Sequence, residues 1–102
     1  MDRKKTVLIV EDEKSIVDIL RFNLEKDDYA VETAYDGEAG LRLAVEKNPD
    51  LVLLDLMLPK MNGFDVCRRL REKGSNVPII ILTAREGGGD KVQGLALGAA
   101  HY

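Results

Sequence analysis

Leu51-Val52-Leu53-Leu54-Asp55 is an apolar run closed by a carboxylate, and Val7-Leu8-Ile9-Val10-Glu11-Asp12 repeats the pattern near the start of the chain. Runs that are apolar at every position read as strands of a parallel sheet, buried on both faces. The acids then lie at the strands' carboxyl ends, facing the crevice where open α/β sheets place their chemistry. If these two strands are neighbours, Glu11, Asp12 and Asp55 converge on one small site that favours a divalent cation.

Working outward, strand-like runs alternate with helix-period segments along the whole chain, the signature of βαβ units. The first strand is expected over Thr6-Val10. A helix follows with Ile16, Ile19, Leu20 and Leu24 on its inward face, Ser15 as its cap and Asp27-Asp28 at its end. Ala30-Ala34 reads as a second strand. Asp36-Gly37 turns into a helix carrying Gly40, Leu43 and Ala44 inward, which stops before Asn48-Pro49. The third strand is Leu51-Leu54. After Asp55, Pro59 and the Asn62-Gly63 pair mark a loop, and a helix beginning near Phe64 points Phe64, Cys67 and Leu70 inward. Pro78-Leu82 is the fourth strand, with Thr83 at its tip. Gly87-Gly88-Gly89 is expected to be a mobile loop before a short helix from Asp90, and His101-Tyr102 opens a fifth strand. The expected fold is therefore a flavodoxin-like, doubly wound α/β sheet of strand order 2-1-3-4-5, one domain over residues 1–102, with its fifth strand incomplete and its last helix absent.

Composition narrows the function. One domain of 102 residues, 45% hydrophobic and 32% charged with net charge −3, reads as a globular protein and argues against a nucleic-acid surface in this segment. The longest uncharged apolar stretch is far short of the roughly 20 residues of a membrane span, and Met1-Asp2-Arg3-Lys4-Lys5 leads into a strand, not a signal-peptide core. A cytoplasmic protein without membrane contact is the expectation. Cys67 is the sole cysteine and reads as a small buried apolar residue of a reducing compartment, not as a nucleophile.

The chemistry of the acidic cluster follows from charge. Two carboxylates about 4 Å apart repel by roughly 4 kcal/mol at an effective dielectric of 20, so three together call for a cation. A hard, oxygen-liganded ion such as Mg²⁺ fits, because it binds through one or two carboxylates and keeps water or phosphate oxygens. Each acid alone reads equally well as a helix cap or a solvated loop residue, and Thr83 alone as an ordinary strand end. Together they point to phosphoryl transfer, with the Thr83 hydroxyl beside the crevice and an aspartate as covalent acceptor.

These residues resemble the receiver domain of two-component response regulators. The matching text is Val7-Leu8-Ile9-Val10-Glu11-Asp12-Glu13, Asp50 to Pro59, Asn62-Gly63, Pro78 to Ala84, and Gly94-Leu95 through Gly98-Ala99 to Tyr102. The text around Leu56-Pro59 and Asp90-Tyr102 is most similar to the winged-helix transcription factor subfamily. The resemblance implies that Asp55 accepts a phosphoryl group from a sensor histidine kinase. It also implies that Glu11, Asp12, Asp55 and the backbone carbonyl of Met57 hold Mg²⁺. Thr83 would bond the phosphoryl group and move with the switch aromatic Tyr102, biasing a surface of the fourth helix, fifth strand and fifth helix. The domain would not be an enzyme beyond its own phosphorylation and dephosphorylation, and DNA would be reached only through an output domain that these residues do not contain.

The chain departs from the family pattern in three places. The family's lysine-proline pair a few residues beyond the tyrosine is not present, so phosphorylation is expected to be slow or weakly stabilised. Ala100 and His101 stand where the subfamily carries two aspartates, and the glycine triplet replaces helix formers. His101 reads as a solvated residue in preference to a metal ligand or phosphate acceptor. An alternative function is a receiver-like binding module, impaired in switching, that self-associates through the exposed fourth-strand edge or by swapping the segment beyond the Gly87-Gly89 hinge. A nucleotide-binding flavodoxin-like protein is excluded because Glu11-Asp12-Glu13 replaces the glycine- and hydroxyl-rich phosphate turn. A general phosphatase is disfavoured because Met57, not a second aspartate, follows Asp55 by two residues.

Overall fold

A computed structural model describes residues 4–82. Seven elements alternate in the expected way: β1 (Thr6–Val10), α1 (Lys14–Lys26), β2 (Ala30–Ala34), α2 (Gly37–Lys47), β3 (Leu51–Asp55), α3 (Gly63–Glu72) and β4 (Ile79–Leu82). The strands form one parallel sheet of order β2-β1-β3-β4, which agrees with the expected order as far as the described residues run. The expectations for Thr83, the Gly87-Gly89 loop, the Asp90 helix, Ala100, His101, Tyr102, the fifth strand and the last helix fall outside the described residues.

Register explains why the strands are apolar throughout. Val7 pairs with Leu51, Leu8 with Val52, and Val10 with Leu54, while Leu54 pairs with Ile81. Alternate side chains point to opposite faces. Leu8, Val10, Val52, Leu54, Ile79 and Ile81 therefore meet Ala44 of α2 and Val66, Cys67 and Leu70 of α3 on one face. Val7, Ile9 and Leu53 meet Val17 of α1 on the other, with Leu20, Leu24, Val31 and Leu82 at its margin. Burying such a Val, Leu or Ile side chain fully contributes about 1.5–3 kcal/mol before the entropy of ordering is counted.

Two helices present different faces from those expected. In α1 the inward stripe is Val17, Leu20 and Leu24, whereas Ile19 is 62% exposed and Ile16 is at the surface too. Isoleucines on either side of Val17 allow two phases of the same periodicity, and the packed one turns the helix so that Val17 is fully buried. Ser15 is not the cap. Glu13 precedes the helix in an extended conformation without a side-chain cap bond, and Lys14 pairs with Asp18 at 3.2 Å across the first turn. In α3, Phe64 lies outside and Val66 joins Cys67 and Leu70 inside. Residues two apart on a helix differ by about 200° in direction, so one of Phe64 and Val66 must face out. The start of the helix is set by Asn62, whose side-chain oxygen accepts from Asp65 N at 2.9 Å. Cys67 is buried as expected, and its burial pushes the thiol pKa up.

The remaining boundaries follow local chemistry. Asp36 caps α2 by accepting from Ala39 N at 2.8 Å, and Asn48 closes that helix in a left-handed conformation with φ of 48°. Pro78 lies just before β4 yet still serves the sheet, since its carbonyl accepts from Val52 N at 3.0 Å. β3 runs one residue further than expected and includes Asp55.

Candidate acidic site at the ends of the first and third strands

Glu11 and Asp55 stand one step beyond and one step after the paired residues Val10 and Leu54, respectively, so the register places them side by side. Asp12 follows at the mouth of the same crevice. One carboxylate oxygen from each of Glu11, Asp12 and Asp55 lies within 4.8 Å of the others. Glu11 is 4% and Asp55 2% exposed, whereas Asp12 is open to solvent. Two of the acids are therefore built into the protein, and the third is available to a solvated ligand.

Backbone amides hold the two buried carboxylates. Glu13 N donates to Glu11 Oε2 at 3.0 Å, and Met57 N donates to Asp55 Oδ1 at 3.2 Å. Glu11 N in turn donates to the Ala34 carbonyl at 3.0 Å, which ties the start of the loop to β2. Burial is the main reason that the Glu11 carboxyl pKa is pushed up to about 7, and the neighbouring Asp55 and Asp12 charges add to it; the Glu13 amide works against the shift. A carboxyl so placed favours a positive partner, either a proton or a cation. The donor set consists only of oxygens, with one solvent-facing member, and fits a hard divalent ion that retains water.

The expected site residues divide accordingly. Glu11, Asp12 and Asp55 come together. Met57 lies two residues past Asp55, bonded to it through its amide, with its side chain 70% exposed. Thr83 and Tyr102 lie outside the described residues. Glu13 has a part that the sequence does not signal, since it orients Glu11 through its backbone amide, which no side chain announces.

Comparison with known proteins gives a consistent picture. The sequence signature of the response regulator receiver domain matches residues 7–102. The alkaline phosphatase synthesis transcriptional regulatory protein PhoP of Bacillus subtilis is 50% identical over 98 residues, which are 96% of this chain and 41% of that protein. The chain thus spans about two fifths of the length of this curated relative. Among solved structures, the receiver domain of Francisella response regulator 1452 superposes with a TM-score of 0.82 at 30% identity, covering 94% of this chain and 79% of that one. A response regulator of Chloroflexus aurantiacus gives 0.83 at 31% identity, with coverage of 95% and 81%. The chemotaxis protein CheY4 of Vibrio cholerae gives 0.80 at 32% identity, with coverage of 95% and 82%.

Proposed function

From the premise that this chain belongs to the response regulator receiver domain family, we propose that Asp55 is its phosphoacceptor and that the phosphoryl donor is the phosphohistidine of a sensor histidine kinase. The observation that carries the reading is the meeting of Glu11, Asp12 and Asp55 within 4.8 Å at the carboxyl ends of adjacent strands. Glu11, Asp12, Asp55 and the Met57 carbonyl would hold Mg²⁺, which when bound offsets negative charge on phosphoryl and carboxylate oxygens.

The protein's own contribution is positional. The Met57 amide holds Asp55 Oδ1, which orients the carboxylate without protonating it. An Asp55 oxygen forms the new P–O bond as the P–N bond to the donor imidazole breaks, and that imidazole leaves with a proton from solvent. Thr83 and Tyr102 keep the parts that the resemblance gives them, hydrogen-bonding the phosphoryl group and switching. The consequence is a signal passed to a transcriptional output. DNA contact belongs to an output domain outside residues 1–102, in keeping with the description of the Bacillus relative as a transcriptional regulator. No helix among the described residues is long and apolar enough to cross a membrane, and a cytoplasmic location fits this role.

A small phosphoramidate carries the same P–N bond as phosphohistidine and tests the reading. Mg²⁺-dependent incorporation into the wild type and none into Asp55→Asn supports it; equal incorporation in both overturns it. A second reading, self-association through the sheet edge, has one observation in its favour. Ile80 is 37% exposed on β4, which among the described residues is bonded only to β3. Light scattering over a concentration series should then show species above 11.3 kDa that Ile80→Lys returns to monomer.

A further inference from the structure

The loop that follows Asp55 is tied to a helix distant from it in sequence. Gly37 opens α2, and its N–H donates to the Pro59 carbonyl at 3.2 Å. The Asp36 side chain, which caps α2 through Oδ1, also lies 3.9 Å from Lys60 Nζ through Oδ2. Lys60 adopts a left-handed φ of 68°, and Met61 N turns back to the Pro59 carbonyl at 2.7 Å. At its two ends the loop is held by Met57 N on Asp55 Oδ1 at 3.2 Å and by Gly63 N on the Leu56 carbonyl at 3.0 Å.

The turn packs so tightly on α2 that only glycine fits at position 37. A Cβ there would lie 2.6 Å from the Met61 carbonyl carbon and closer still to its oxygen. Both are backbone atoms, so no side-chain rotation relieves the overlap, and either the helix or the loop must move. α2 is fixed in the core by Ala44, with Leu41 and Leu43 packed beside it, whereas Pro59 and Lys60 are at the surface. The loop is the part that yields.

We propose that Gly37 is a positioning residue for the acidic site. By admitting the 59–61 turn against the start of α2, it fixes the loop carrying Met57, and through the Met57 amide it sets the orientation of the Asp55 carboxylate. The inference rests on the reading of that site as a cation-dependent phosphoacceptor, which adds the Met57 carbonyl to what is held.

Hydrogen exchange of the metal-free chain and a Mg²⁺ titration followed by thermal shift test it in wild type, Gly37→Ala and Leu43→Ala. Leu43 packs on the core six residues further along α2, so its truncation lowers stability while leaving the Gly37–Pro59 bond and the Asp36–Lys60 pair in place. Gly37→Ala is expected to speed exchange at the 57–61 amides at least tenfold and to raise the Mg²⁺ midpoint at least fivefold. Leu43→Ala is expected to change neither by more than twofold. Unchanged loop exchange and midpoint in Gly37→Ala, or equal changes in Leu43→Ala, overturn the proposal. Should Gly37→Ala not fold, Lys60→Gln decides the matter: it removes the Asp36 partner and leaves the α2 cap in place, so it should speed exchange at the 57–61 amides and raise the midpoint about twofold, and no change in either contradicts the clamp. A wild type that does not respond to Mg²⁺ refutes the cation reading, and the exchange arm alone then judges the clamp.

Discussion

Glu11 and Asp55 end adjacent parallel strands at the same level, each following a residue of the Val10–Leu54 pair, and both are almost completely buried. Two acids brought together without solvent form an expensive arrangement that a bound cation relieves. The metal-free domain should therefore be measurably less stable than the loaded one. A ligand that binds only the folded state stabilises it by about 2.7 kcal/mol at one hundred times its dissociation constant. Thermal unfolding with increasing Mg²⁺ should show a rising midpoint, and Asp12→Ala should remove most of the rise. Asp12 is solvent-facing, so this variant should remain folded.

The raised Glu11 pKa makes the metal-free domain pH-sensitive. Its carboxyl ionises near 4.5 in the unfolded chain and near 7 in the folded one, so between these values the native state binds more protons. Stability from this group is fully present below about pH 4.5 and is lost as pH rises through 7. Urea unfolding of the metal-free protein between these limits should show a falling contribution with rising pH, superposed on the ordinary titration of the surface acids. Glu11→Gln should flatten that component, and an unaltered profile in the variant would assign it elsewhere.

The orientation of α1 is testable by paired truncations. Val17 is fully buried and Ile19 is 62% exposed. Val17→Ala removes two buried methyl equivalents and should cost about 2 kcal/mol, whereas Ile19→Ala should stay within about 0.5 kcal/mol. Denaturant midpoints with unchanged slopes would show this. The reverse order would restore the face centred on Ile16 and Ile19.

Strands and the acidic cluster were legible in the sequence because each is carried by neighbouring residues. Val7–Val10 and Leu51–Leu54 declare buried strands by composition, and their terminal acids inherit a position from them. Asp36, Asn48 and Asn62 were legible as breaks between elements, but the capping bonds of Asp36 and Asn62 were not, and Ser15, the residue with a cap-like spacing, is not a cap. Helix phase was less so. Periodicity shows that α1 has an apolar side, but Ile16, Val17, Ile19 and Leu20 offer two stripes, and only packing against Ile9 and Leu53 selects between them. Phe64 is hydrophobic without being buried, because the helix phase set by the Asn62 cap turns Val66 inward instead. The contact of Gly37 with Pro59 was illegible because it joins segments separated by a whole strand, and Asp36-Gly37 reads locally as an ordinary turn.

On the proposed function, Asp55 receives the phosphoryl group with the help of the acids around it. Incubation with acetyl phosphate and Mg²⁺, followed by intact-mass measurement and peptide mapping, decides whether it does. The wild type should gain the mass of a single phosphoryl group on the peptide containing Asp55, with none gained by Asp55→Asn or by the wild type in excess chelator. A phosphoryl group on another residue, or equal labelling of Asp55→Asn, would contradict it.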